Sequence, residues 1–326
     1  MHVKKALLTS AVALAIAIGS TMSVSAAELK KIRIDWATYN PVSLILKDQK
    51  LLENEFAKDN VAIEWVQSAG SNKALEGLRG NTLDFGSAAG AAALMERVTG
   101  TPVKAIYVFS RPEWTALVVP QNSPLKAVSD LKGKKIAVTK GTDPHIFLMR
   151  ALDGAGLAEK DVTIVALPHA EGRVALEKGE VDAWSGLDPM MAQSELVAKS
   201  RLLFRDPYLN TYGVLNVRED FAKDNAEAVR RVLKTYEVAR NAAIRSPDML
   251  RAALVKAANI DDAVAARQLE RTDLRSPAIG NAQQRTIQAA GEVLQKAGII
   301  PANVNVEQTV KELIDRSFSS SLSASN

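Results

Sequence analysis

Cysteine is absent from all 326 residues. A disulfide framework, a thiolate metal site, a CxxC redox pair and a cysteine nucleophile are excluded at once, and no cysteine is present to take a lipid anchor. Stability must come from apolar burial, which roughly 300 mature residues provide, a size at which single cores ordinarily divide in two. Histidine is nearly as scarce. Beyond His2 only His145 and His169 occur; neither has a partner at metal-ligand spacing, and both read as structural or surface groups. Aromatic residues make up 5% of the chain and the basic residues are scattered rather than blocked, so nucleic acid and membrane surfaces find no electrostatic footprint. Catalytic signatures are missing too: "GSAAG" (86–90) does not match GxSxG, no Walker A sequence occurs, and "SPLK" (123–126) lies in a Pro-containing loop rather than on a helix. No catalytic residue, metal or cofactor is expected.

What is present begins with "MHVKKALLTSAVALAIAIGSTMSVSAA", a basic start, an apolar stretch from Ala6 to Gly19 and small residues before Glu28. This pattern is a secretory signal peptide over 1–27, too short in its apolar run to span a membrane, with cleavage after Ala26 or Ala27. No later stretch approaches the roughly 20 apolar residues of a spanning helix. Removal of the leader takes away Lys4 and Lys5 and no acid, leaving 39 basic against 37 acidic residues. An exported, soluble protein of near-balanced charge follows, with a Gram-negative periplasm as its compartment.

Short Val- and Ile-rich runs alternate with longer helical patterns through the first two thirds of the chain, as expected of an α/β fold with mainly parallel sheet. "KIRIDWA", "VAIEWVQS", "LDFGS" and "VKAIYVFS" read as strands, and "PVSLILKDQKLLENEFAKD", "SNKALEGLRGN" and "AAALMERVTG" as helices. The breakers Pro120, Asn122, Ser123 and Pro124 mark a restart. A second unit follows: strand "KKIAVT", helix "PHIFLMRALDGAGL", strand "DVTIVAL", helix "AEGRVALEKGE" and strand "VDAWSG". "ALEGLRGNTLDFGS" and "RVALEKGEVDAWSG" share one plan, so two lobes of like construction are implied. After Trp184 the pattern turns helical, apart from "YGVLNVRED" (212–220), and five amphipathic helices are placed to cover the existing sheets. The serine-rich end, 319–326, reads as a disordered tail.

Together "YNPVSLILKDQKLLE", "LRGNTLDFGSAAGAAAL", "SDLKGKKIAVTKG" (129–141) and "GEVDAWSGLDP" (179–189) resemble the periplasmic substrate-binding proteins of ABC importers for aliphatic sulfonates, taurine and nitrate. The aliphatic sulfonate branch is the nearest match, over almost the whole mature chain. The resemblance implies a two-lobed periplasmic binding protein type II fold with two hinge strands and ligand held between the lobes. Lobe one would comprise 28–118 and 217–318 and lobe two 119–216, with "TALVVP" and "TYGVLNV" as the crossings. It implies a small organic anion as ligand and an inner-membrane ABC permease as partner; a monomer is expected. Taurine, nitrate and a thiamine-precursor pyrimidine are the alternative ligands, and an exported carboxylate-dependent enzyme the alternative class; a desulfinase of this fold would need the missing cysteine.

In open parallel sheets ligands lie beyond the carboxyl ends of the strands, where helices begin and unpaired N–H groups suit an anion. Ser87 to Leu94, "SAAGAAAL", carries almost no side chain there, so Ala88, Ala89 and Gly90 are candidates for an anion seat, with close helix packing as the other explanation. Four further junctions share the trait: Tyr39 and Asn40 before Pro41; Ser68, Ala69 and Gly70; Gly141, Thr142 and Asp143 before Pro144; and Trp184 with Asp188. Trp114 and Trp184 are candidates for the ligand's organic tail, a core position being the alternative for each. Asp143 is expected to cap its own helix. It departs from the serine-rich turn of the sulfonate branch, as Leu187 departs from an aromatic, and Asp143 or Asp188 would suit the amine of a zwitterion. Arg111 reads as a solvated surface residue. Expressed from Met1 in a Gram-negative host, the protein is expected in the periplasmic fraction lacking 26 or 27 residues by intact mass; an uncut chain held in the cytoplasm would overturn the leader assignment.

Overall fold

The computed structural model describes residues 29–319. The expected leader over 1–27 lies outside the described residues, as does the expected tail apart from Ser319, which is buried. The first lobe opens with strand β1 (Lys31–Trp36), helices α1 (Pro41–Asp48) and α2 (Leu51–Phe56), and β2 (Ala62–Gln67). The single helix expected from Pro41 to Asp59 is broken at Lys50, which is left-handed at φ 51°. The Gln49 and Lys50 amides close α1 on Ile45 and Lys47, and the restart lets Leu52 and Phe56 reach the core. Helix α3 (Ser71–Arg79), β3 (Phe85–Ala89), α4 (Gly90–Val98) and β4 (Val103–Pro112) complete this half. Every residue of β3 is buried, as a central strand covered on both faces requires.

Strand β5 (Leu117–Val119) opens the second lobe, followed by β6 (Lys135–Val138), α5 (Asp143–Gly154), β7 (Thr163–Ala166), α6 (His169–Glu177), β8 (Ala183–Ser185), α7 (Met190–Leu196) and β9 (Arg201–Phe204). The chain then returns as β10 (Gly213–Arg218), α8 (Glu219–Asp224), α9 (Ala226–Arg245), α10 (Pro247–Ala258), α11 (Asp262–Glu270), β11 (Thr272–Asp273), α12 (Asn281–Lys296) and α13 (Val306–Leu313).

The sheets run β11-β4-β10-β3-β1-β2 and β7-β6-β8-β5-β9. Each has four strands running in one direction and admits one antiparallel strand that arrives directly from the other lobe: β10 between β3 and β4, β5 between β8 and β9; the short β11 also runs antiparallel, beside β4. The two lobes thus share one topology, the two-lobed α/β fold expected. The strands expected as crossings are fully paired inside the sheets that receive them. The chain instead crosses between Pro112 and Leu117 and between Phe204 and Gly213, so lobe two begins earlier than expected and 213–216 belong to lobe one.

The five late helices follow their apolar stripes. Helix α9 buries Val229, Val232, Leu233, Tyr236, Ala239 and Ala243, and α9 and α10 pack on α1 while α12 and α13 pack on α4. Helices α12 and α11 also reach α5 and α7 of the other lobe. Gly90 is a close-packed point where α12 and the second crossing meet α4: a Cβ there would stand 2.5 Å from the Thr211 carbonyl and 2.6 Å from Ile287. Gly90→Ala is expected to lower stability by about 1–3 kcal/mol through overpacking, measured as a drop in the urea midpoint at unchanged slope.

Candidate ligand-binding cleft

Tyr39 and Ser71 of lobe one, Trp114 in the first crossing, and Thr142, Asp143, Pro144 and Leu187 of lobe two enclose a cavity between the lobes. Its volume is about 10 Å³, the room of one water, so the lobes are closed and must part to admit a solute. Tyr39 meets Trp114 edge to face, with ring centroids 5.9 Å apart. Leu187 adds an aliphatic wall. The expected candidates Tyr39, Trp114, Thr142 and Asp143 are therefore brought together.

A second group meets beside this cavity. Gly70, which precedes α3 and offers it no side-chain cap, faces His169 at the start of α6, and Gly141 (φ 75°) faces Asn72. The starts of α3, α5 and α6 therefore converge from two lobes, each lacking a side-chain cap at its first turn. Unpaired N–H groups and aligned peptide dipoles make such a point favourable for an anion. Ser68 is buried but its neighbour Ala69 is exposed and lines nothing here. Ser71 and Asn72 were not singled out in the sequence, and His169 was read there as a structural or surface group. His169 stands at the carboxyl end of β7, the same signal that singled out the other junctions.

Several expected seats are already filled. The Ser87 amide and hydroxyl donate to Asp35 Oδ1 at 2.9 and 2.8 Å. The Ala89 amide donates to Ser71 Oγ at 3.0 Å, the Ala91 amide to Thr211 Oγ1 at 3.1 Å, and the Gly90 amide to the Thr211 and Tyr212 carbonyls. The amides of Ala89 and Gly90 thus have acceptors within the protein, and Ala88 lies buried in β3 opposite Val214 of β10, as close packing requires. Asn40 is fully buried: it accepts from the Ser43 amide and donates to Ser87 Oγ and Tyr236 Oη at 2.8 and 3.2 Å, supporting the wall behind Tyr39. Trp184 faces away from the cleft, in a core with Ala116, Val118, Leu176 and Met191, and its ring lies against Gly172.

Both aspartates play other parts than expected. Thr142, not Asp143, is the residue ahead of α5. Asp143 instead accepts from Trp114 Nε1 at 2.8 Å, the Thr211 amide at 3.0 Å and Thr211 Oγ1 at 2.5 Å, joining both crossings to lobe two. Asp188 accepts from the Ala192 amide at 2.9 Å within α7. Its other oxygen lies 3.6 Å from Arg271 Nη1, and Arg271 also pairs with Glu195. Asp188 is therefore part of an ion cluster between α11 and α7 on the rim. Arg111 is exposed and lies over the Tyr208 ring.

Burial raises the Asp35 carboxyl to about 6 and, against the opposing pull of Arg271, Asp188 to about 7; burial also raises Asp143. A carboxyl held above its unfolded value of about 3.9 stabilises the fold below that pH and loses this contribution as pH rises through the folded pKa. Burial lowers His145, and lowers His169 to about 4; these contribute oppositely, losing stability as pH falls. The variant difference isolates one group: Asp188→Asn is expected to gain on the parent protein in urea midpoint as pH rises from 5 to 8. A difference independent of pH would refute the raised Asp188.

The NMT1/THI5-like family model matches residues 55–249. The alkanesulfonate-binding protein SsuA of Xanthomonas axonopodis pv. citri bound to MOPS is 27% identical with a TM-score of 0.81, covering 90% of this chain and all of its own. The periplasmic aliphatic sulphonate-binding protein SsuA of Escherichia coli is 26% identical with a TM-score of 0.75, covering 87% of this chain and 98% of its own. A relative from Escherichia coli (strain K12) named for binding aliphatic sulfonates is 27% identical over 295 residues, 89% of this chain and 92% of that one. With the paired sheets and the interlobe cavity, these matches place the chain in the NMT1/THI5-like family, in the two-lobed fold of the periplasmic binding proteins.

Proposed function

We propose that this chain is the substrate-binding component of an ABC importer, acting as a periplasmic monomer once its leader is removed, and that it captures an aliphatic sulfonate between its lobes for an inner-membrane permease. The observation that carries this reading is likeness over nearly the full length to two solved sulfonate-binding proteins at 26 and 27% identity.

The cleft chemistry supports it. A sulfonate is a permanent monoanion with no proton to give, so its site needs donors alone. The starts of α3, α5 and α6 supply amides, and of the hydroxyls on the cavity walls Tyr39 Oη donates to the Ser87 carbonyl and Thr142 Oγ1 to the Thr139 carbonyl, which leaves Ser71 as the hydroxyl donor for the ligand. Charge-assisted hydrogen bonds contribute about 1.5–3 kcal/mol each, so a few suffice for micromolar affinity. Tyr39, Trp114 and Leu187 form the wall for the carbon tail. Closure is favoured by ligand because only the closed form brings both lobes into contact with it. A carboxylate-dependent enzyme finds little support, since Asp143 is fully engaged by Trp114 and Thr211 and Asp188 lies in the rim cluster.

Thermal melting with short alkanesulfonates, taurine, nitrate and an alkylphosphonate tests the reading. A ligand at a hundredfold excess over its Kd stabilises by about 2.7 kcal/mol, or a rise on the order of 5 °C for a chain of this size. An alkanesulfonate is expected to give the largest rise. No shift with any sulfonate would refute the assignment; a larger shift with taurine would move it to zwitterions, and turnover of a stabilising compound would make the protein an enzyme.

A further inference from the structure

His169 is 4% exposed, and both of its ring nitrogens are buried without a hydrogen-bond partner. A buried imidazole ordinarily finds an acceptor for its N–H. The ring instead projects from lobe two onto the open end of α3 in lobe one: a Cβ placed on Gly70 would stand 3.1 Å from Nε2 and 3.3 Å from Cδ2. Gly70 is extended at φ 174° and gives α3 no cap. The Lys73 and Ala74 amides turn back to the Gly70 carbonyl at 3.0 and 3.3 Å, so the helix begins at the residue that the imidazole faces. The atom nearest to that Cβ position, Asn72 Oδ1 at 2.9 Å, makes no hydrogen bond with the ring, so the imidazole is left without an acceptor and an oxyanion seated there satisfies it.

We infer that His169 is a ligand contact, whose Nε2–H donates to an oxygen of the sulfonate held at the start of α3. This inference rests on the sulfonate reading above and names the residue that couples that site to protons. Burial between the lobes is the one cause of the low His169 pKa of about 4. The charged residues on the elements around it, Lys73 on α3, Lys140 and Asp143 at α5, Glu171 and Arg173 on α6 and Glu195 on α7, contribute nothing to that shift. With the lobes apart, water returns the ring to an ordinary value near about 6.5. An anion against the ring favours the imidazolium and raises the value further. Binding therefore takes up a proton, and affinity rises as pH falls from 8 towards 5.5. A protonated ring also opposes closure on an unfilled cleft, since closing would bury its charge without a counter-ion.

Isothermal titration of propanesulfonate at pH 5.5, 7 and 8, in buffers of differing ionisation enthalpy, tests this. The parent protein is expected to bind about 10-fold more tightly at pH 5.5 than at pH 8, with net proton uptake. His169→Gln, which retains a donor but cannot be charged, is expected to lose the slope and the uptake and to bind about 10-fold more weakly at pH 5.5. Gly70→Ala, which puts a methyl group into the anion's place on a backbone that accepts any residue, is expected to weaken binding at every pH and keep the slope. Tight binding by the parent protein with no pH slope, or a slope that survives in His169→Gln, would overturn the role of His169 alone. Absence of sulfonate binding at any pH would overturn the assigned function and this inference with it.

Discussion

Asp143 holds the molecule in its present arrangement. Its carboxylate sits in the first turn of α5 and accepts from Trp114 in one crossing and from Thr211, twice, in the other. Thr211 carries the link onward, since its Oγ1 accepts the Ala91 amide at the start of α4 and its carbonyl accepts that of Gly90. One buried acid therefore ties both hinge segments and the first turns of two helices from opposite lobes into a single chain of hydrogen bonds. Each hydrogen-bond partner is a donor, and the Arg150 charge adds to the compensation of the acid; the remaining geometry of the cleft follows from where this chain places Trp114 and Thr142.

That placement explains why the anion site moves. The start of α4 has the barest sequence in the protein, yet its amides are taken by Ser71, Thr211 and Tyr212. A helix start attracts anions only while its N–H groups lack acceptors, and here the protein supplies the acceptors itself. The ends left open belong to α3, α5 and α6, and they meet because the two lobes have the same topology and face each other across the crossings. The rim ion cluster of Arg271, Asp188 and Glu195 adds a further contact made across the lobes, with Arg271 following α11 and both acids on the α7 side.

Much of the fold was legible because its signals are local. The Val- and Ile-rich runs became β1, β2, β4, β6 and β7, and the five late stripes became α9 to α13. Strand β9 was not legible: "RLLF" is four residues of intermediate burial on a sheet edge, and it is a strand because β5 pairs with it. The break at Lys50 was hidden for a similar reason, since "PVSLILKDQKLLENEF" has no helix breaker and the interruption serves the packing of Leu52 and Phe56.

Read alone, the amino-acid sequence determined the fold class, the repeated plan of the lobes, the absence of thiol chemistry and the junctions at which small polar residues follow strands. These depend on periodicity and composition, which neighbours in the chain express. Tertiary structure alone decided which junctions stay open. Whether an amide remains free depends on acceptors that arrive from more than a hundred positions away, as Thr211 does for Ala91, and whether a tryptophan faces cleft or core depends on which side of its strand the other lobe lies. Trp114 and Trp184 were equal candidates in the sequence; the crossing turned one towards Asp143, and the pleat of β8 turned the other towards α6.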